Sequence, residues 1–271
     1  MPNTATMTKP APAAPAVAPL HPNLRIPNVI TIASGKGGVG KTWVAVTLVH
    51  TLAKKGYKSL LFDGDLGLAN VDIQLGLLPK HDLGSVLAGT VSMADAVARY
   101  TDGGFDILAG KSGSGALALL SGDRLNMVRD GLAALARRYD RVVVDLGAGI
   151  ETHVRTLAAT AGIVLVVATD EPTSLTDAYA FIKVTAMQHP GTDIRIVINQ
   201  ADNAREGRRT YETLRKACEQ FLSISPPLAG VIRTDSKVKD SIRAQVPLLI
   251  RYPTCNAAAD VEAIASSLLV R

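Results

Sequence analysis

A chain of 271 residues, 47% hydrophobic and 20% charged, is long enough to bury a substantial core and has the balance of a globular protein. A net charge of +5 permits an anionic partner without demanding one, and 4% aromatic residues are too few for a base-stacking platform. Two cysteines, Cys218 and Cys255, form neither a disulfide framework nor a metal-ligand spacing, so a reduced cytoplasm is the expected setting. No apolar run approaches the ~18 residues of a membrane span, and the first residues lack the apolar centre of a signal peptide.

Residues 1–27 are dominated by Ala and Pro between Pro10 and Pro22. Proline at this density denies the segment a helix or a central strand and predicts a disordered, partly polyproline tail. Residues 28–271 read as one domain. The apolar run Val29-Ile30-Thr31-Ile32-Ala33 opens it as a strand, and the stretch Gly35-Lys36-Gly37-Gly38-Val39-Gly40-Lys41-Thr42 joins that strand to a helical pattern over 41–55. Strands follow over 59–62, 105–108, 142–144, 163–168, 194–198 and 228–232, several of them apolar on both faces as buried parallel strands are. Helical patterns over 123–138, 151–160, 175–187, 206–221 and 237–245 alternate with them. The alternation predicts an α/β fold, a doubly wound, mostly parallel sheet with helices on both faces and ligands at the carboxyl ends of the strands.

The glycine-rich stretch fits the phosphate-loop template of Gly, four residues, Gly, Lys, Thr between a strand and a helix. Gly35, Gly37, Gly38 and Gly40 let successive backbone N–H groups, that of Val39 included, turn around a phosphate, and the helix opening at Lys41 adds the positive end of its dipole. Lys41 is placed to reach the β- and γ-phosphates, and the Thr42 hydroxyl to hold Mg²⁺. The second strand closes on Asp63-Gly64-Asp65, so two carboxylates arrive beside the loop, where Mg²⁺ and an attacking water must sit. Arg141-Val142-Val143-Val144-Asp145 is an apolar strand ending on a third carboxylate, and Gly147 and Gly149 behind it permit the backbone to rearrange.

Lys36, directly after the first glycine, stands at a position that the general template leaves free. With it the loop resembles that of the deviant phosphate-loop ATPases, the MinD and ParA superfamily. The resemblance implies a P-loop ATPase fold, ATP with Mg²⁺ as cofactors, and an ATP-dependent homodimer in which Lys36 acts on the partner's phosphates. It assigns Asp65 to the attacking water, Asp63 to the outer shell of the metal and Asp145 to the metal itself. It also sets Asn199, in Val197-Ile198-Asn199-Gln200-Ala201-Asp202, against the adenine. The same Asn-Gln-Ala-Asp is similar to the guanine-reading Asn-Lys-x-Asp of GTPases, so ATP is the expected nucleotide and GTP the open alternative. Trp43, after the phosphate-loop Thr, and Arg233, where the family has proline, depart from the pattern on the nucleotide side and are counted with the binding residues.

Within that superfamily the stretches around Glu171 to Ala180 and Glu206 to Leu222, and Asp145 to Ile150, resemble the FlhG family, also written FleN or YlxH. This resemblance implies control of the number or placement of flagella. It further implies a protein partner, namely the flagellar C-ring, the GTPase FlhF or a flagellar transcription regulator, and a location in the cytoplasm, at the inner-membrane periphery or at the cell pole. Nothing in residues 1–27 matches the family's FlhF-activating Asp-Gln-Ala-x-x-Leu-Arg element. The alternative function is a ParA-like, ATP-gated DNA-binding protein that positions a chemotaxis array, plasmid or organelle. Arg205, Arg208, Arg209, Arg215 and Lys216 lie on or beside one helix and read as a solvated face, a partner-docking surface or a nonspecific DNA contact. Val261, Ile264, Ala265, Leu268 and Leu269 form a stripe on a last helix whose single cation is Arg271; packing on the domain is expected and a membrane surface is the alternative.

Overall fold

Val29 and Ala33 face one core layer while Ile30 and Ile32 face the other, so the strand that carries them is buried on both sides. This strand, β1 (Ile26–Ser34), lies at the centre of a computed structural model that describes residues 25–65, 67–110 and 122–269. It feeds α1 (Lys41–Lys54), β2 (Ser59–Gly64), the short helices α2 (Val71–Leu75) and α3 (Leu83–Leu87), and the hairpin β3 (Ala98–Tyr100) and β4 (Phe105–Leu108). Then come α4 (Gly122–Ala136), β5 (Arg141–Ala148), α5 (Thr152–Ala159), β6 (Ala161–Ala168), α6 (Pro172–Gln188) and β7 (Ile194–Ala201). The chain ends in α7 (Ala204–Leu222), β8 (Leu228–Arg233), α8 (Ser236–Arg243), α9 (Leu248–Arg251) and α10 (Asn256–Leu269).

The strands form one sheet in the order β3-β4-β2-β5-β1-β6-β7-β8. All neighbouring pairs are parallel except β3 with β4. Strand order reverses at β1, with β5 and β2 on one side and β6 and β7 on the other. In an open α/β sheet such a reversal leaves a crevice at the carboxyl ends of the strands. Helices α3 to α7 cover one face, with Phe62, Val144, Val166 and Ile198 among the side chains beneath them. Helices α1, α2, α9 and α10 cover the other, over Ile32, Leu61, Val143 and Leu165.

Three features differ from the sequence reading or sharpen it. The first strand starts at Ile26, within the segment read as tail, and the Ile26 N–H donates to the Thr160 carbonyl at 2.8 Å. Pro27 is tolerated there because a strand start needs no donor from it. The rest of the tail, residues 1–24, lies outside the described residues, as does Arg271. The antiparallel β3 is too short, at three residues, to show a period. Lastly, the stripe of α10 faces inward: Val261, Ile264, Ala265 and Leu268 are buried, and Ile264 lies so close to Gly230 of β8 that a Cβ there would clash. That side of α10 is core, not membrane-facing surface. Among the described residues no helix is long and apolar enough to cross a membrane.

Candidate functional site

The loop between β1 and α1 takes its shape from glycines. Gly38 has φ +81° and Gly40 φ +91°, left-handed values that side chains resist. Gly35 presses on the backbone of Asp177 in α6, so any Cβ there would overlap it. Gly40 is the N-cap of α1 and supplies no side chain, and the first turn holds no acid, which leaves its N–H groups for an anion. Lys41 is buried at 8% exposure. Burial lowers its pKa, while the carboxylates of Asp145 and Asp65 act in the opposite sense and hold its charge. Trp43 is buried in the core layer on the α1 side, with its indole N–H unpartnered.

Adjacent strands deliver the acids. Asp63 of β2 and Asp145 of β5 are register partners, both buried within 1% of full enclosure, so two carboxyl groups lie side by side. Desolvation, the largest cause, raises the Asp145 pKa to about 7 against the opposing pull of a Thr42 hydrogen bond and the Lys41 charge. Desolvation followed by repulsion from Asp145 holds the Asp63 pKa well above the usual range. Asp63 accepts from the N–H groups of Asp65 at 3.2 Å and Val71 at 3.3 Å. Asp65 closes a tight turn of its own, accepting from the N–H groups of Gly67 and Leu68 at 3.1 and 2.9 Å.

Asp145 Oδ1 is buried with no hydrogen-bond partner, and it belongs to the carboxylate that the Thr42 hydroxyl approaches. An orphaned carboxylate oxygen beside a hydroxyl at a phosphate loop fits Mg²⁺, which binds few protein oxygens and completes its shell with water and phosphate. Among the described residues no group of three or more His, Cys, Asp or Glu forms a dedicated metal cage.

The other half of the sheet holds the loop from behind. Lys36 Nζ donates to Glu171 Oε2 at 2.5 Å and to Thr173 Oγ1 at 2.9 Å, both at the start of α6. Asn199, 4% exposed, donates to the Val39 carbonyl at 2.7 Å. Gly149, with φ +101°, donates its N–H to the Ser34 carbonyl at 2.9 Å, linking the turn after β5 to the base of the loop. The Arg233 guanidinium is bidentate on Asp260 of α10, and its N–H donates to the same carboxylate at 2.9 Å. Thus Lys36, Lys41, Thr42, Asp63, Asp65, Asp145 and Asn199 surround one loop, while Trp43 sits in the core and Arg233 is tied to α10. Sequence reading assigned no role to Glu171, Thr173 or Asp260 as anchors. Lys36 and Glu171 are 135 positions apart, and no local pattern marks such a pair.

A phosphate loop at the switch point of a doubly wound parallel sheet, with carboxylates on the neighbouring strand ends, defines a P-loop nucleotide-binding α/β protein. The chain belongs to the CobQ/CobB/MinD/ParA nucleotide binding domain family, whose model matches residues 30–248. It is 37% identical over 240 residues to the antiactivator FleN of Pseudomonas aeruginosa, covering 89% of this chain and 85% of that one. It is 33% identical over 216 residues to the flagellum site-determining protein YlxH of Helicobacter pylori, covering 79% and 72%. Its fold is similar to that of the septum site-determining protein MinD complexed with Mg-ADP from Pyrococcus horikoshii, with a TM-score of 0.74 at 24% identity over 89% of this chain and 96% of that one.

Proposed function

We propose that this chain is an ATPase of the MinD and FlhG kind, whose ATP-dependent dimerisation and slow hydrolysis control the number or placement of flagella. One observation carries the reading. On the contiguous strands β2, β5 and β1 the carboxyl ends present Asp63 and Asp65, Asp145, and a phosphate loop with two lysines. The names of the FleN and YlxH relatives, an antiactivator and a flagellum site-determining protein, support the flagellar part.

Catalysis in this reading is positioning plus charge neutralisation. The loop N–H groups and Lys41 bind the β- and γ-phosphates of ATP. Thr42 and Asp145 would hold Mg²⁺, with Asp63 assigned to its outer shell, and the ion when bound would supply neutralisation of phosphate charge. Asp65 leaves its turn to orient the attacking water. Lys36 leaves Glu171 and Thr173 to reach the phosphates of a second copy, so the dimer is the hydrolytic species. Hydrolysis then acts as a timer on a complex with a flagellar partner at the inner-membrane periphery or the cell pole.

A phosphate-release assay tests this. The unaltered chain is expected to turn over ATP slowly and only with Mg²⁺, Lys41→Ala to lose nucleotide binding, and Asp65→Ala to bind without turnover. Normal turnover by Asp65→Ala would refute the assignment. Tighter competition by GTP than by ATP would reassign the nucleotide. The exposure of Arg205, Arg208, Arg209 and Lys216 on α7 favours a second reading, the ATP-gated DNA contact. Arg215 is less available, being paired with Glu212 and Glu219. DNA binding that vanishes with added salt and with charge reversal on α7 would support that second reading.

A further inference from the structure

The helices on the α1 side of the sheet stop short of one edge. The strand order ends at β3 on one side and at β8 on the other, and α10 packs closely on β8. Among the described residues α1 reaches β4, but no helix makes extensive contact with β3. Tyr100 of β3 and Ile107 of β4 belong to the core layer on the α1 side, and Ala98, two residues from Tyr100 and the register partner of Ile107, shares their face. Their cover is the loop 77–80. Between loop and strands lies a cavity of about 240 Å³, lined by Leu77, Leu78, Pro79, Ala98, Tyr100 and Ile107. The apolar face of a sheet is ordinarily buried by a second layer, and here that layer lacks a piece.

The rim of the cavity is apolar and cationic. Leu78 is 99% exposed, and Ile73 of α2 is 56% exposed. Two such side chains beside an apolar cavity make a patch, which scattered single exposures do not. Gln245, just after α8, donates from Nε2 to the Ile73 carbonyl at 2.7 Å and so fixes α2 against α8. Lys80 at the cavity and Arg243 at the end of α8 are exposed, and neither forms an ion pair with a described residue. The acids around them are engaged: Asp82 accepts from the Ser85 N–H at the start of α3, Asp106 holds Arg99 and the Tyr139 hydroxyl, and Asp240 holds Arg251. Asp72 accepts from the Ile73 N–H at 2.8 Å.

We propose that this uncovered face is a docking site for a short acidic amphipathic helix of a partner protein, with one large apolar side chain in the cavity and acids against Lys80 and Arg243. A helix fits because it completes the layer over β3 and β4. An added strand does not, since the three-residue β3 offers too short a row of edge hydrogen bonds. A second copy of this chain needs about 800 Å² on each side, more than a patch of this extent supplies. A lipid surface takes protruding aromatic side chains, and this patch is a hollow without an exposed Phe or Trp.

Fluorescence anisotropy on the full chain tests this with a labelled synthetic helix of glutamate, alanine and leucine that carries one phenylalanine in its apolar stripe. Saturable binding is expected. It should weaken about tenfold when the peptide's phenylalanine is replaced by alanine, and about as much for Ala98→Leu, which fills the cavity. Lys80→Glu is expected to weaken it several-fold, and a peptide with lysine for glutamate should not bind. Leu78→Ser, on a fully exposed side chain that the fold does not need, is expected to lose affinity too and covers the case in which Ala98→Leu does not fold. No saturable binding of the acidic phenylalanine peptide, or equal binding by the unaltered chain and Leu78→Ser, would overturn the proposal. So would sedimentation with phosphatidylglycerol vesicles that Leu78→Ser abolishes, or a doubling of mass without peptide that Leu78→Ser abolishes; these would make the occupant lipid or a second copy. The site goes beyond the nucleotide reading, so peptide binding by a chain that fails to turn over ATP would sink that reading and leave this one standing.

Discussion

Lys36 and Glu171 meet at 2.5 Å, yet the two side chains are 37% and 60% exposed. Exposed pairs of this kind contribute about 0–1 kcal/mol, so the lysine is held in its own protomer by a contact that is weak to break. Glu171→Ala is therefore expected to leave the melting temperature nearly unchanged while lowering the ATP concentration needed for half-dimerisation, as read by light scattering; an unchanged midpoint would contradict the retention role. The buried carboxyl of Asp145 behaves differently. Its folded pKa of about 7 lies above the ordinary carboxylate value, so the folded state binds more protons between pH ~4 and 7 and this site costs stability as pH rises through that window. Without nucleotide, Asp145→Asn is expected to be more stable than the unaltered chain at pH 8, on the order of 3 kcal/mol, with the gain shrinking towards pH 4. Equal stability of the two proteins at pH 8 would count against the buried charge. At this scale the motif residues were legible because each needs a fixed spacing within one segment. Glu171 opposite Lys36 and Asp260 opposite Arg233 were not, because those pairs form only when distant segments meet.

Helix α1 is enclosed between the sheet, α9 and α10, and most of its 14 residues are buried, with no strong polar face. His50 is among them, 4% exposed, beside the Phe105 ring and with Nδ1 unpartnered. Burial, then the Lys54 charge, lowers its pKa to about 4. The unfolded chain then binds the extra proton between pH 4 and 6.5, so the stability this site contributes is present above pH ~6.5 and is lost as pH falls to ~4. Asp145 acts in the opposite sense over much of that range, so the unaltered chain masks both effects. His50→Leu is expected to gain on the unaltered chain during acidification from pH 7 to 4, by on the order of 3 kcal/mol in chemical denaturation. A difference that stays constant with pH would refute a buried neutral histidine. Among elements, the strands apolar on both faces and the long helices were readable in the sequence. The helices α2, α3 and α9, of four or five residues, and the three-residue β3 were not, since so short a run carries no period and is held by its neighbours.

Across the whole molecule the switch point at β1 divides the labour. Strands β5 and β2 on one side carry Asp145, Asp63 and Asp65, the acids that the proposed function assigns to the metal and the water; β6, through α6, and β7 on the other carry the groups that hold the loop. The carboxyl-end crevice followed from the predicted parallel order, and the apolar stripe of α10 led to the expectation of packing on the domain, but its partners β8 and α1 were set by tertiary contacts that no local pattern names. Because Lys36 reaches no phosphate of its own protomer in this reading, the central claim is that ATP joins two copies. Light scattering on Asp65→Ala with saturating Mg-ATP measures this directly, since the substitution is expected to remove turnover and leaves the loop residues in place. The expected mass is twice the 28.4 kDa of one chain with ATP and a single 28.4 kDa with ADP. A mass of one chain in both nucleotides would contradict the account.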